Sequence, residues 1–187
     1  MTNTIFDFVG DETGDWKITS MVTLKGDPIK SISHLTKVSS NLVQNKTGIW
    51  ILKGIVSNLR YTEKEDKVKL ATIQEDLGRK NATFAAFIPI RKSEAWWNLA
   101  QDERRKIMEN KSKHTHMGMK YLPAIARKLF HSRDIGEQFD FLTWFEYAPA
   151  DADAFEELLY TLRKTEEWNY VDREIDIRLK KNVEIIA

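Results

Sequence analysis

Residues 138–179, QFDFLTWFEYAPADADAFEELLYTLRKTEEWNYVDREIDIRL, lay out a strand, a helix and a second strand with little between them. In the first part apolar and polar residues alternate, so Phe139, Phe141, Phe145 and Tyr147 fall on one face of a strand. Over residues 150–164, Phe155, Leu158, Leu159 and Leu162 recur at i, i+3, i+4 and i+7, an apolar stripe along a helix with acids in its first turn and bases in its last. The final part alternates again, with Val171, Ile175, Ile177 and Leu179 on one face and Asp172, Glu174, Asp176 and Arg178 on the other. Such a helix buries its stripe only by lying on the sheet that the two strands help to form, which is α+β grammar.

The same grammar runs upstream. Residues 16–24 (WKITSMVTL), 48–61 (GIWILKGIVSNLRY) and 82–90 (ATFAAFIPI) read as strands, and 32–44 (ISHLTKVSSNLVQ) as a helix between the first two. A helix over 93–110 (SEAWWNLAQDERRKIMEN) comes next, with Ser93 as its N-cap. The passages FAAFIPIRKSEAWWNLA and WFEYAPADADAFEELLY share this strand-to-helix pattern, so the chain reads as a duplicated α+β unit. Gly78 and Asn81 mark a loop, and the charged run YTEKEDKVK a solvated connection. No Pro-rich or low-complexity linker separates the halves, so they are expected to pack as one unit.

Composition narrows the function classes. A chain of 187 residues, 42% hydrophobic and 30% charged, can bury a sizeable core without disulfide or metal staples. A net charge of +1 supplies no field for gathering nucleic acid or anionic membranes, and no run approaches the length needed to span a bilayer. The first residues carry no signal-peptide pattern, so the expected compartment is the cytoplasm. With no cysteine, thiolate metal sites and iron–sulfur clusters are excluded, and any metal must be held by histidine or carboxylate.

Three of the four histidines, His114, His116 and His131, lie in KSKHTHMGMKYLPAIARKLFHSRDIGE together with Arg127 and Arg133. A zinc pair at His114 and His116 fails, because residues two apart leave a helix on different sides and no HExxH pattern is present. No GxSxG elbow offers a nucleophile, and spacing alone names no partner for a general acid or base. Six tryptophans, nine phenylalanines and five tyrosines make up an aromatic load that fits either an ordinary core or a slot for a flat macrocycle.

Three runs carry more. IPIRKSEAWWNLAQDERR (88–105), KYLPAIARKLFHSRDIGEQFDFLTWFEYAP (120–149) and RKTEEWNYVDREIDIRL (163–179) resemble the chlorite dismutase family, specifically its short, N-terminally trimmed branch. The resemblance implies a dimeric α+β barrel of two ferredoxin-like halves, about 1–98 and 99–187, with one haem b per subunit in the second half, and a homodimer. It implies His114 as the proximal iron ligand, seven residues before Tyr121, and Glu167 as the acid that accepts a hydrogen bond from its imidazole. Arg127 matches the distal arginine of chlorite-decomposing members, Gln74 a neighbour that orients it, and Asn58, Tyr61, Lys92 and Trp97 are candidates for the haem edge.

The implied reaction is the decomposition of chlorite to chloride and dioxygen, with Arg127 as the residue that holds the chlorine oxyanion. A guanidinium suits that task, being charged at any workable pH and donating through a rigid fork. The alternatives are a coproheme decarboxylase, whose branch carries glutamine where this chain has Arg127, and a haem-binding ferredoxin-like protein without turnover.

Overall fold

The computed structural model describes residues 5–40, 47–56, 73 and 76–182. Eight strands close into an antiparallel barrel: β1 (Ile5–Asp11), β2 (Trp16–Lys25), β3 (His34–Ser39), β4 (Trp50–Val56), β5 (Phe84–Lys92), β6 (Ala126–His131), β7 (Phe141–Tyr147) and β8 (Val171–Lys181). Around the barrel they run β1-β3-β2-β8-β5-β7-β6-β4. Within that circle β4-β1-β3-β2 and β8-β5-β7-β6 have the same order, the fourth, first, third and second strand of each set. Antiparallel seams between β2 and β8 and between β4 and β6 join the two sets.

Side chains that alternate along the strands fill the barrel. Phe8, Leu35, Leu52, Phe87, Phe130, Leu142, Trp144, Ile175 and Ile177 are buried in one cluster, and the rings of Phe8 and Phe87 stack across the interior at 4.4 Å. The described interior is thus filled by packed apolar side chains.

The outer layer covers the β5–β8 side. Helix α4 (Ala152–Arg163) buries Phe155, Leu158, Leu159 and Leu162 against Ala86, Ile88, Phe145, Tyr147 and Val171, as its stripe requires. Each such side chain contributes about 1.5–3 kcal/mol of transfer free energy before entropy is charged against it. Of the polar face of β8, Glu174 and Asp176 are buried beneath this helix, while Asp172 stays exposed. Arg163 donates to Glu174 at 2.8 Å and to Asp176 at 2.7 Å, and the Trp168 indole donates to Glu174 at 2.8 Å.

Three sequence expectations need correction. Residues 34–39 form β3, not a helix; they pair with β1 from Phe6↔Ser39 to Asp11↔His34, which places Leu35 in the core. Phe139 and Val171 leave the faces expected of them: Phe139 enters the barrel just before β7 begins, while Val171 joins the cluster under α4. The segment 93–110 is broken into α1 (Glu94–Asn98), α2 (Gln101–Arg105) and a π-helical turn Lys106–Lys111. Leu99 and Ala100 are extended there, and the Glu103 carboxylate accepts the Ala100 N–H at 2.7 Å. Ser93 stands at the N-cap of α1 but makes no capping hydrogen bond. Strand β5 pairs with β7 on one side and β8 on the other.

The broken segment ends in a sharp turn. Lys113 adopts φ 49°, a left-handed conformation that costs an ordinary side chain about 1–2 kcal/mol, and so directs the chain into α3 (His114–Lys120) with His114 as its first residue. No helix of the described residues is long and apolar enough to cross a membrane.

Candidate functional site

A chain of three side chains, each from a different element, crosses the outside of the barrel. Lys92 ends β5, Glu167 lies in the 3-10 turn Glu166–Tyr170 that leads into β8, and His114 opens α3. The Lys92 ammonium donates to Glu167 Oε1 at 2.8 Å and to the Glu167 carbonyl at 3.3 Å. The other carboxylate oxygen, Oε2, lies 2.8 Å from His114 Nδ1. Ser112 adds a fixed acceptor, its hydroxyl oxygen taking the Glu167 N–H at 3.3 Å.

Electrostatics decide where the protons sit. Burial alone would raise the Glu167 pKa, but the charges and hydrogen bonds of His114 and Lys92 outweigh it and hold the carboxyl well below the usual carboxylate range. Burial pushes the Lys92 pKa down, and Glu167 opposes that shift. An ionised carboxylate only accepts hydrogen bonds, so His114 Nδ1 carries the proton, and in the neutral ring Nε2 keeps its lone pair. Among the described residues Nε2 makes no hydrogen bond, and the His114 side chain is 26% exposed against 5% for Glu167. An imidazole held this way is oriented and open at the nitrogen that can ligate a metal.

Lys92 and Trp97, candidates for a cofactor edge in the sequence, meet at Asp140. The Lys92 ammonium lies 4.7 Å from the centre of the Trp96 ring and 5.4 Å from that of Trp168, beside Glu167. Its backbone N–H donates to Asp140 at 2.6 Å, and the Trp97 indole donates to the same carboxylate oxygen at 3.1 Å. Arg133 completes this junction, 3.3 Å from the other Asp140 oxygen and 4.2 Å from the Trp97 ring. Adjacent on α1, the two tryptophans thus diverge: Trp96 is buried against Lys92 and Tyr170, Trp97 half-buried against Phe141 and Arg133.

Arg127 comes from the outward face of β6, since Phe130 on the same strand fills the barrel. Its guanidinium lies against Gly118: a Cβ built on that glycine would meet Arg127 Nη1 at 2.1 Å and the guanidinium carbon at 2.6 Å. Gly118 follows His114 by four residues, so both occupy one face of α3, the face to which Arg127 reaches. Burial lowers the Arg127 pKa and Glu109 raises it, yet a guanidinium starts so high that it stays charged.

The structure thus brings Lys92, Glu167 and His114 together and sets Arg127 on the His114 side of α3. Asn58, Tyr61 and Gln74 lie outside the described residues. His116 is exposed, and His131 ends β6 with its ring edge-on to Phe141 at 5.1 Å. Asp140, Ser112, Trp168 and Gly118 went unnoticed in the sequence. Asp140 alone left a sign, as an acid between Phe139 and Phe141 in an otherwise apolar strand start. Among the described residues no group of three or more His, Asp or Glu is placed to hold a bare metal ion.

A family model described as Chlorite dismutase matches residues 30–182. The chain belongs to the chlorite dismutase family. A chlorite dismutase of Ideonella dechloratans is 36% identical over 125 residues, 64% of this chain, and the chain covers 40% of that relative's length. The dimeric chlorite dismutase of Nitrobacter winogradskyi, known by crystal structure, is 51% identical and superposes with a TM-score of 0.88 over 95% of this chain and 99% of that one. A chlorite dismutase of Candidatus Nitrospira defluvii is 25% identical with a TM-score of 0.59, covering 81% of this chain and 58% of the other. The chain thus shares the fold of the Nitrobacter protein over nearly all of both chains, whereas it spans little more than half of the Nitrospira chain.

Proposed function

We propose that this chain binds one haem b through His114 and decomposes chlorite to chloride and dioxygen. The observation that carries the proposal is the His114–Glu167 contact at 2.8 Å: it fixes the proton on Nδ1 and leaves Nε2 as a directed donor to iron. The donor set suits a haem, because one oriented imidazole suffices for an iron that its porphyrin already holds on four sides. The bare Gly118, on the same helix face, adds a flat surface beside that ligand. Bound haem would supply the iron centre at which the Cl–O bond of chlorite is broken and the O–O bond is made.

The chain's own residues supply the rest. Arg127, on the same side of α3, gives an incoming chlorite anion a fixed cation, and its forked N–H groups can hold the chlorine oxyanion that must not escape before the O–O bond forms. Glu167 keeps the His114 ring from turning and strengthens its donor nitrogen. Lys92 takes the role of anchoring Glu167 rather than that of a haem-edge residue, while Asn58, Tyr61, Gln74 and Trp97 remain the candidates for lining the haem and orienting Arg127. ClO2− yields Cl− and O2, so neither protons nor an external reductant enter the balance, and the site needs no general acid.

The repeated strand order supports two ferredoxin-like halves, with β5, which begins at Phe84, as the first strand of the second set. The Nitrobacter relative supports a homodimer. The test is oxygen evolution: protein loaded with haem releases dioxygen on adding chlorite, and Arg127→Ala keeps its haem but evolves oxygen more slowly and bleaches sooner. No oxygen from the parent, or equal rate and survival in the variant, contradicts the proposal.

A further inference from the structure

We propose that Gly118 is a positioning residue of the site: its bare Cα, one helical turn after His114, sets how closely a planar group can lie on the ligand's face of α3. This inference rests on the haem reading above. It starts from an observation independent of that reading, namely that a guanidinium, itself planar, already lies on this spot. A Cβ at Gly118 would stand 2.1 Å from Arg127 Nη1 and 2.6 Å from both the guanidinium carbon and Nη2, so the whole flat end of the side chain uses the space that any other residue would fill.

A helix interior does not favour glycine. Alanine is the better helix former, because glycine surrenders more backbone freedom on folding. Gly118 has no backbone reason to be glycine either, since its φ is not positive, unlike those of Gly26, Gly78 and Gly136. The close approach of another group is what remains to require it. His114 and Gly118 project from the same face, so a macrocycle ligated by His114 Nε2 extends across Gly118, and each atom added there props it away from the imidazole. The obstruction would be local, because Arg127 meets Gly118 with the far end of a flexible side chain that can swing aside.

The two explanations of Gly118 predict opposite signs. If it were an incidental helix residue, Gly118→Ala would raise the melting temperature of the haem-free protein and leave haem binding alone. If it sets the approach, Gly118→Ala keeps or raises that melting temperature while haem binding weakens about tenfold, as expected from overpacking by one methyl. Gly118→Leu then weakens binding further, by about a hundredfold or more. The experiment is a titration of haem-free parent, Gly118→Ala and Gly118→Leu with haemin, read at the Soret band, beside thermal melts of the same three proteins. Graded loss of affinity with an undiminished Gly118→Ala melt supports the inference. Equal affinity in all three overturns it while leaving the haem reading intact, and so does a loss of affinity matched by a fall in the Gly118→Ala melt. Failure of the parent to bind haemin overturns both.

Discussion

Replacing Lys92 by methionine isolates the electrostatic part of the Lys92–Glu167–His114 chain. Methionine keeps most of the lysine stem and its packing beside Trp96 and Trp168, and removes the ammonium. That ammonium is bonded to Glu167 at 2.8 Å with both side chains about 5% exposed or less, so the carboxylate left behind is buried with His114 Nδ1 as its remaining side-chain partner among the described residues. Removing one member of such a buried pair costs about 3–5 kcal/mol. For a chain of this length about 1 kcal/mol moves the melting temperature by about 2–4 °C, so the variant should melt roughly 6–20 °C below the parent. The assay is circular dichroism melting of the haem-free proteins at neutral pH, with Lys92→Met/Glu167→Gln alongside. The double variant no longer buries an unpaired charge and should recover more than half of the loss. A single variant melting within about 2 °C of the parent, or a double variant less stable than the single, would refute the reasoning.

Neighbouring features offer other tests. The depressed pKa of Glu167 means that its stabilisation is complete above its ordinary value of 4.5 and is lost as pH falls toward the folded value. The stability gap between parent and Glu167→Gln should therefore narrow as pH drops below 4.5 in urea unfolding, and a constant gap would count against the shift. Arg163→Met strips Glu174 and Asp176 of a shared partner beneath α4 and should cost about 1–3 kcal/mol by urea unfolding, against little change for the exposed Lys120→Met.

The parts of the fold that could be read in the sequence are those whose periodicity is local. Phe155, Leu158, Leu159 and Leu162 declare α4 through their own spacing, and the alternation of Ile175, Ile177 and Leu179 declares β8. β3 was hidden because Ile32 and Leu35 stand three apart, as on a helix. Its strand conformation is imposed by six pairings with β1, a segment distant in sequence. β1 and β6 likewise gain their strand character from partners on both sides. The break at Leu99–Ala100 was invisible for the opposite reason: nothing in residues 93–110 forbids a continuous helix, and Glu103 caps a turn that only the folded chain makes.

The site divides in the same way. Family resemblance named His114, Glu167 and Arg127, but not the role of Lys92, which lies 75 residues from Glu167 and meets it only through the pairing of β5 with β8. Asp140 escaped because the partners of its carboxylate, Lys92, Trp97 and Arg133, come from β5, α1 and the turn after β6. Gly118 escaped because its importance lies in an atom it lacks.

The ligand assignment is tested most directly by resonance Raman spectroscopy of the reduced, haem-loaded protein. An iron–imidazole stretching band in the parent that moves to lower frequency in Glu167→Gln and vanishes in His114→Ala is the expected pattern. The same band persisting unchanged in His114→Ala would mean that another residue binds the iron and that the Lys92–Glu167–His114 chain serves only the fold.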